Sequence, residues 1–400
     1  MGPGTAGGAV KVLMLTPLMK MGYGVPEAIA SLARGMTPLG IETVVGCMDF
    51  DDSFPDLQIR RVNPHPPLVL DLAAREGATV VVANGSPFFE VLPALTGKVR
   101  TIAYEYGDPT PEMFEADAAE RRAIVEHKRT AVYPNVDAVA AISEFVRHDI
   151  DWPQARVVVL GVDHIPDLGP KPARRPDDAD KALRVGTLMR LGQGEARYKG
   201  TDLLPALRAG IDAVLGEEGR SVQFEVMGRG TESDAERLTA AGFAVHLNAS
   251  DVERAAYLRD IDVFISPSKW EGMNLPLVEA QALGTPGLAF DTGAHPEFTP
   301  LLFRSVADVA VQVAAYNQDR EGLLAEHGRA AHAFVRHRLR WQDSSAEMAR
   351  LIRDQAPLSA PRRPALPRRV ADKARRGVLS LRHHGLRETW RRNADKLRRR

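Results

Sequence analysis

The sequence predicts an α/β protein with two doubly wound parallel sheets that face a cleft, followed by a basic C-terminal tail. Three observations support this fold class. The chain has 400 residues, more than a typical single domain. Short apolar runs alternate with helical patterns through residues 10–164 and again through 182–335, which indicates strands joined by helices in parallel sheets. Between the two series, residues 165–181 hold four prolines among Asp and Arg, a composition typical of a linker.

The N-terminal domain follows a glycine-rich tip, residues 1–9, that we expect to be disordered. Apolar runs predict strands at 10–16, 41–47, 57–62, 78–83, 99–104, 138–142 and 156–160. The clearest helical pattern between them covers residues 112–130. The single cysteine, Cys47, ends an apolar run, so we expect a buried structural thiol; one cysteine also excludes an intramolecular disulfide.

The C-terminal domain repeats this alternation. Its predicted strands are 183–188, 222–227, 244–247, 261–266 and 287–290, and its predicted helices cover 201–215, 233–241, 251–259 and 276–283. Two similar α/β halves on either side of a linker predict a cleft between them, and such domain interfaces are favoured ligand sites.

The net charge of zero conceals a strong asymmetry. Residues 362–400 contain fifteen Lys or Arg and three Asp or Glu, a net of +12, so the rest of the chain carries −12. The tail, residues 356–400, is rich in Pro and Arg and then shows a helical pattern with Trp390 on its apolar face. Such a helix suits an anionic membrane surface. A solvated extension is the alternative, and binding of nucleic acid is the least favoured interpretation.

The sequence shows no signal-peptide pattern at its start. No stretch approaches the ~20 apolar residues of a membrane span. We therefore expect a cytoplasmic protein, either free or peripheral on the inner face of the membrane.

Two glutamates in segment 266–286 carry most of the functional information. Glu271 follows a predicted strand, and Glu279 lies about one turn into a helix that begins near Pro276, with seven residues between the two acids. Ligands of open α/β sheets bind at the carboxyl ends of strands, and a helix N-terminus with free N–H groups attracts anions. Two acids beside an anion site indicate recognition of a ligand with hydroxyls and phosphates, such as a sugar nucleotide.

Basic residues follow the first strand of the second domain. Arg190, Arg197 and Lys199 lie in its loop, where they could neutralise a diphosphate and its developing charge. A solvated loop is the alternative interpretation.

Glycines occur at other strand ends. Gly22 and Gly24 follow the first strand of the chain, and Gly228 follows the strand at 222–227. Glycines at such places let the backbone approach a phosphate or sugar closely, although a plain tight turn accounts for them equally well.

Several segments together resemble the retaining glycosyltransferases of family 4, which have the two-domain GT-B fold. The segment around the two glutamates is similar to that family's E-x7-E signature, and the likeness continues to its flanks. Segments that resemble other family elements are 136–147, 160–163, 185–191, 199–204 and 291–297. The resemblance covers about residues 10–355.

The resemblance implies a role for each matching residue. Glu279 would accept hydrogen bonds from the ribose hydroxyls, and Glu271 would contact the transferred sugar. Arg190 and Lys199 would hold the diphosphate and stabilise the leaving group. The loops that would surround the donor contain Gly22, Gly24, Gly228, Gly272, Met273, Asn274 and Leu275.

The resemblance also implies the reaction. The donor would be a nucleoside diphosphate sugar, the acceptor a hydroxyl of a carbohydrate or lipid-linked glycan, and transfer would proceed with retention and without a metal or other cofactor. A helix over 336–355 would cross back to the N-terminal domain and pack Trp341. The alternatives are a sugar-nucleotide epimerase or hydrolase of the same fold, or a catalytically weak protein that recruits partners through its basic tail.

The chain departs from the family pattern at two places. Met273-Asn274 stands where Phe-Gly is usual, and Asn tolerates the left-handed backbone that would preserve the turn. Many members carry a His after the fifth strand, where this chain has Glu105. Glu105 or Asp108 is therefore a candidate acceptor contact or base, with a core-edge acid paired to a nearby cation as the alternative.

Two further features have structural explanations. Residues 49–52 are similar to a metal-binding D-x-D motif, but they follow an N-terminal strand, so we expect a surface loop and no metal site. His295 lies between turn-forming residues, and we favour a structural role for it over contact with a donor.

Overall fold

The computed structural model describes residues 10–114, 117–172, 181–192, 198–216 and 221–354. Within these ranges the chain forms two α/β domains, each built on a parallel sheet, which confirms the predicted fold class. The glycine-rich start and the basic tail lie outside the described residues, as does Arg197. None of the helices in the described ranges is long and apolar enough to cross a bilayer.

The N-terminal sheet has seven parallel strands in the order β3-β2-β1-β4-β5-β6-β7. These are β1 (Val10–Met19), β2 (Ile41–Phe50), β3 (Gln58–Arg61), β4 (Val80–Ala83), β5 (Arg100–Glu105), β6 (Ala138–Ala141) and β7 (Arg156–Val157). The helices between them are α1 (Gly24–Met36), α2 (Pro66–Glu76), α3 (Leu92–Leu95), α4 (Ala118–His127) and α5 (Glu144–Asp149). Strands β4 and β5 are buried along their whole length, as expected for strands at the centre of a parallel sheet that is covered on both faces.

The C-terminal sheet has six parallel strands in the order β10-β9-β8-β11-β12-β13. These are β8 (Leu183–Arg190), β9 (Val222–Arg229), β10 (Ala244–Leu247), β11 (Val263–Ser266), β12 (Gly287–Phe290) and β13 (Leu302–Phe303). The helices are α6 (Leu204–Leu215), α7 (Glu232–Ala240), α8 (Asp251–Asp260), α9 (Leu275–Ala282), α10 (His295–Phe298), α11 (Val306–Gln318), α12 (Ala325–Arg338) and α13 (Trp341–Arg353).

The strand order reverses at one place in each sheet. Strand β1 pairs with β4, with Val12 opposite Val80, and β8 pairs with β11, with Val185 opposite Val263. Because successive helices depart to opposite faces there, a crevice opens at the carboxyl ends of these strands. The two crevices face each other across the domain interface.

The last helix ties the two domains together. Helix α13 returns from the C-terminal domain and packs against α1, where Gly35 leaves room for Ser345. Trp341 begins α13 and is 7% exposed, which agrees with the packing role expected for it.

Three details of the predicted elements need correction. The helix expected over 112–130 starts only at Ala118 and continues into a π-helical turn, Lys128–Val132. The strand expected at 156–160 has only two residues and ends at Val157. Strand β13 has only two residues, too short to produce a detectable pattern.

Candidate active site

A cavity of about 610 Å³ lies between the two domains. Its walls come from the loops that follow β1, β5, β8, β9 and β11, so it occupies the facing crevices of both sheets. Sequence-predicted residues Arg190, Lys199, Glu271 and Glu279 all line it. The fold therefore brings together side chains that are 89 positions apart in the chain.

Glu279 projects from α9 and is 1% exposed. Its Oε1 accepts hydrogen bonds from His164 Nε2 at 3.0 Å and Arg254 Nη2 at 3.3 Å. Its Oε2 is buried and has no partner among the described residues. Burial opposes ionisation, but Arg254 and His164 outweigh it and lower the pKa of Glu279 below its ordinary value. Glu279 is thus an ionised carboxylate with one oxygen that has no hydrogen-bond partner among the described residues.

Glu271 and Lys199 form an ion pair at the cavity wall. Lys199 Nζ donates to Oε1 of Glu271 at 2.8 Å and to Oε2 at 3.0 Å. Glu271 lies in the loop between β11 and α9 and is 5% exposed, while the Lys199 side chain is 19% exposed. Because Lys199 is the more exposed partner, its charge remains accessible to an anion in the cavity.

Arg190 is the last residue of β8. Its guanidinium is exposed at the cavity and its Nη2 donates to the hydroxyl of Tyr198 at 2.7 Å. Arg190 and Lys199 thus place two positive charges at the switch point of the C-terminal sheet, an arrangement suited to a diphosphate.

The loop before α9 is held by side chains behind it. The Asn274 amide oxygen accepts from the Leu277 N–H and caps the helix, and its Nδ2 donates to Ser266 Oγ at 2.7 Å. Asn274 has a φ of −91°, so the expectation of a left-handed turn there is wrong, and the capping bond explains this Asn instead. Met273, Asn274 and Leu275 all line the cavity as expected for donor-binding residues.

His295 takes the structural role favoured for it. It is fully buried, and its Nδ1 lies 2.9 Å from the Phe290 carbonyl oxygen while its Nε2 lies 3.3 Å from Ser266 Oγ. Burial lowers its pKa despite the nearby Glu271. His295 therefore supports the loop without lining the cavity.

The C-terminal domain matches a known family. Residues 185–335 match the model described as "Glycosyl transferases group 1". The matched range covers most of the C-terminal domain, from β8 to α12.

Two curated relatives cover part of the chain. The lipopolysaccharide core biosynthesis mannosyltransferase LpsB of Rhizobium meliloti (strain 1021) is 30% identical over 177 residues, 40% of this chain and 47% of that protein. The D-inositol 3-phosphate glycosyltransferase of Pseudarthrobacter chlorophenolicus is 28% identical over 206 residues, 49% of this chain and 47% of that protein. The chain thus spans about half the length of the curated relatives it matches.

Solved structures match over a larger part of the chain. The sucrose-phosphate synthase of Thermosynechococcus elongatus superposes with a TM-score of 0.67 at 17% identity, over 86% of this chain and 98% of the other. The fold is GT-B. The match includes both sheets, so the cavity described above is the interdomain cleft of a GT-B protein.

The glycines predicted to approach the donor all line the GT-B cleft, and two of them lie close against the opposite domain. Gly22 has a φ of +81°, and a Cβ there would lie 2.2 Å from Nη2 of Arg229, which donates to the Met21 carbonyl at 2.8 Å. A Cβ on Gly272 would lie 2.3 Å from the Tyr106 carbonyl oxygen. Both glycines therefore permit close contact between the two domains, independently of a donor.

Gly24 and Gly228 are less constrained by the opposite domain. Gly24 is the first residue of α1, so the N-terminus of this 13-residue helix faces the cleft. Gly228 lies in β9 beside the end of β8. Both remain candidates for close approach of a donor.

Three contacts that sequence reasoning missed join the domains at the cleft. Ser143 Oγ donates to the Gly272 carbonyl at 2.8 Å. The Glu297 carboxylate accepts from the N–H groups of Glu144 and Phe145 at 2.9 and 2.7 Å, which caps α5 from the other domain. Trp270 packs its ring edge-on against Phe145, 6.0 Å between centroids. These contacts close one side of the cleft.

Glu105 is the main correction to the predicted site. It is 2% exposed and does not line the cleft. Lys128 Nζ lies 2.9 Å from its Oε1 and 3.1 Å from its Oε2, and Tyr133 donates to Oε1 at 2.7 Å. Both oxygens are therefore occupied, so a role as base or acceptor contact is wrong and the alternative of a paired core-edge acid holds.

Asp108 is the half-buried member of the same network. Its Oδ2 accepts a short hydrogen bond from Lys128. Burial alone would lower the pKa of Lys128, but the facing carboxylates of Asp108 and Glu105 raise it well above its ordinary value. Lys128 was missed because it lies 23 positions from Glu105, in a helical segment that gives no sign of binding an acid.

His164 and Arg254 were also missed. His164 reaches Glu279 from the segment just before the linker, and Arg254 reaches it from α8. No local pattern links them to a residue 115 or 25 positions away. The sequence assigned a role only to segment 160–163, which ends directly before His164.

The D-x-D-like segment lies on the surface of the N-terminal domain. Asp49 pairs with Lys20 at 2.7 Å, and Asp51 accepts from the Ser53 N–H at 3.0 Å. Across the described ranges, no group of three or more His, Cys, Asp or Glu is arranged to hold a metal ion. Cys47 is buried, and burial raises its pKa to about 11.

Proposed function

We propose that the protein is a retaining, metal-independent glycosyltransferase of family 4 that uses a nucleoside diphosphate sugar. One observation carries the proposal. Three buried polar atoms that line the interdomain cleft lack partners in the described part of the chain: Glu279 Oε2, Thr187 Oγ1 and Trp270 Nε1. Buried polar groups are normally hydrogen-bonded, so a cleft with three such atoms suits a ligand rich in hydroxyls.

The charges around these atoms suit a sugar nucleotide. Glu279 offers an acceptor oxygen to ribose hydroxyls, and Arg190 and Lys199 offer positive charge to the diphosphate. Glu271, paired with Lys199 at the cleft wall, would contact the transferred sugar. Because two protein cations already face the phosphates, the proposed reaction needs no metal.

The proposed transfer breaks one bond and forms another at the sugar's anomeric carbon. The bond to the diphosphate oxygen breaks, and the nucleoside diphosphate leaves with the electron pair. The acceptor oxygen bonds to the anomeric carbon on the face from which the diphosphate leaves, and its hydroxyl proton passes to the departing phosphate oxygen. Lys199 and Arg190 stabilise the negative charge that develops on the leaving phosphate, while the contacts of Ser143 and Glu297 exclude water.

We also propose a lipid-linked or envelope glycan as the acceptor. One curated relative is named for lipopolysaccharide core biosynthesis, and residues 362–400 carry a net charge of +12. A basic tail of this kind would hold a cytoplasmic enzyme at the anionic inner leaflet, since each nearby Lys or Arg contributes about 1 kcal/mol.

A donor screen tests the catalytic proposal. UDP-, GDP-, ADP- and TDP-sugars are mixed with the protein and ligand binding is detected by thermal shift. Turnover of the binding donor is then measured with and without a glycan acceptor. We expect acceptor-dependent transfer that Glu271→Gln abolishes. Equal inertness of wild type and variant with every donor would refute the proposal, and donor consumption without acceptor would favour a hydrolase or epimerase.

Vesicle cosedimentation tests the membrane proposal separately. Truncation after Pro357 should release the protein from vesicles that contain anionic lipid, while binding to neutral vesicles stays weak in both forms. Equal sedimentation of the full and truncated chains would contradict a membrane role for the tail.

A further inference from the structure

His164 connects the carboxylate of Glu279 to the segments that cross between the domains. Its Nε2 lies 3.0 Å from Glu279 Oε1, and its Nδ1 accepts from Trp341 Nε1 at 3.1 Å. His164 directly precedes the linker at residues 165–181, and Trp341 begins the returning helix α13. The Trp341 backbone N–H also donates to Asp163 at 2.7 Å, so the two crossing segments are bonded side by side.

The hydrogen-bond chemistry fixes the direction of this relay. An indole N–H can only donate, so the Nδ1 of His164 must accept and its ring proton lies on Nε2. That proton points to Glu279, whose ionised oxygen can only accept. Trp341 thus sets the tautomer with which His164 binds the carboxylate, as a neighbouring group does for many functional histidines.

The relay determines which oxygen of Glu279 is free. His164 makes the shorter of the two bonds to Oε1, and Arg254 makes the longer one at 3.3 Å. The His164 side chain is 14% exposed and does not line the cleft, so it reaches Glu279 from behind. Without His164, the Glu279 carboxylate could rotate about its last side-chain torsion, so that Oε2 would accept the hydrogen bond from Arg254.

We propose that His164, oriented by Trp341, is a positioning residue that fixes Glu279 so that its free oxygen receives a ribose hydroxyl. This inference rests on the proposed use of a nucleotide donor. It adds that ribose recognition depends on the paired crossing segments, and that a side chain outside the cleft determines how strongly the enzyme distinguishes ribose from deoxyribose.

The test compares intact and deoxygenated nucleotides. Isothermal titration calorimetry first identifies which of UDP, GDP, ADP and TDP binds the wild type, and then measures its 2′,3′-dideoxy analogue. The ratio of the two dissociation constants reports the ribose contact alone. It is measured for His164→Ala, His164→Gln, Trp341→Phe and the control His332→Ala. His332 is a matched control because its Nε2 lies 3.0 Å from Asp167, with a side-chain exposure of 13%, away from the cleft.

We expect the wild type to prefer the intact nucleotide by about tenfold or more, as a hydrogen bond to a charged group should give. His164→Ala should reduce this ratio at least about threefold, and Trp341→Phe should reduce it less, because only the orienting bond is lost. His164→Gln should restore part of it, since its amide can donate to the carboxylate. His332→Ala should leave it unchanged.

Failure of the His164 inference can be distinguished from failure of the proposed function. An unchanged ratio in both His164→Ala and Trp341→Phe overturns the inference while nucleotide binding, and with it the proposed function, survives. Equal weakening of both nucleotides also overturns it, because a merely structural role would produce that result. A wild type that binds none of UDP, GDP, ADP and TDP refutes the proposed function itself, and the inference falls with it.

Discussion

Two buried glutamates near the carboxyl ends of parallel strands differ in how their oxygens are paired. Glu105 ends β5 in the N-terminal sheet, and Glu279 lies in the helix that follows β11 in the C-terminal sheet. They are 2% and 1% exposed. Both oxygens of Glu105 are bound by Lys128 or Tyr133, whereas Glu279 keeps one oxygen without a partner in the described ranges. Burial is therefore common to both glutamates, and the unpaired oxygen distinguishes the proposed ligand-binding residue from the fully paired one.

The comparison has a general physical basis. A buried carboxylate must be compensated, and a complete set of partners leaves nothing for a ligand to contribute. An incompletely compensated carboxylate in a cleft gains its missing hydrogen bond when a ligand arrives. A perturbed pKa alone does not distinguish the two, because structural ion pairs also perturb pKa values.

Removing the charge of Glu105 should have the largest effect, and on stability. Glu105→Gln breaks a buried ion pair, which typically costs about 3–5 kcal/mol. We expect a loss near the lower end, about 3 kcal/mol, because Asp108 still faces Lys128. Urea denaturation measures this loss. A variant as stable as the wild type would show that the pair is not structural.

Removing the positive charge of Lys199, which lines the cleft, should affect catalysis rather than stability. Lys199→Met should lower kcat by about 10²–10³-fold, since the leaving phosphate loses an electrostatic partner. The matched control is Lys269→Met, because Lys269 pairs with Asp202 at 2.7 Å in the same region but does not line the cleft. Steady-state kinetics should show near-normal turnover for the control. Equal losses in both variants would assign the effect to stability of the loop.

Crowding the N-terminal side of the cleft should have an intermediate effect. A Cβ on Gly24 would lie 3.4 Å from Leu275 Cδ1, an ordinary contact, so Gly24→Ala should fold normally. If a donor approaches this backbone, crowding of about 1–2 kcal/mol should weaken its binding roughly tenfold. Calorimetry with the donor measures the change, and unaltered affinity would place the donor away from α1.

The pH dependence of stability should give the smallest effect. The pKa of Glu279 is lowered from 4.5 by Arg254 and His164 against the effect of burial. Its ionised form therefore stabilises the fold above pH 4.5, and that contribution is lost as pH falls through the lower, folded pKa. The stability difference between wild type and Glu279→Gln should narrow below pH 4.5 in denaturant titrations. A difference that widens at low pH would contradict the assigned direction.

The sequence predicted the fold and the C-terminal half of the cleft well. The strands could be located because buried parallel strands are nearly continuous apolar runs. The segment with Glu271 and Glu279 could be interpreted because the end of a strand and the start of a helix lie next to each other in the sequence there. The capping role of Asn274, by contrast, was not predicted; the sequence suggested only that Asn tolerates a left-handed backbone there. Its side chain is held by a hydrogen bond to Ser266, which lies across the loop and is not indicated by any local pattern.

The hydrogen-bond partners of the buried glutamates could not be predicted. Lys128, His164 and Arg254 reach their glutamates from elements far away in the chain, and nothing local in the sequence specifies which acid each one meets. Glu105 was therefore considered for catalysis because it occupies the place of a family histidine. Only its two occupied oxygens, visible in three dimensions, assign it to the core.

Nucleotide affinity of the two glutamine variants tests the central claim most directly. Calorimetry with whichever of UDP, GDP or ADP binds the wild type is repeated for Glu279→Gln and Glu105→Gln under conditions where both remain folded. Glu279→Gln should weaken binding by about tenfold or more, while Glu105→Gln binds like the wild type despite its lower stability. Retained affinity in Glu279→Gln together with lost affinity in Glu105→Gln would contradict the account.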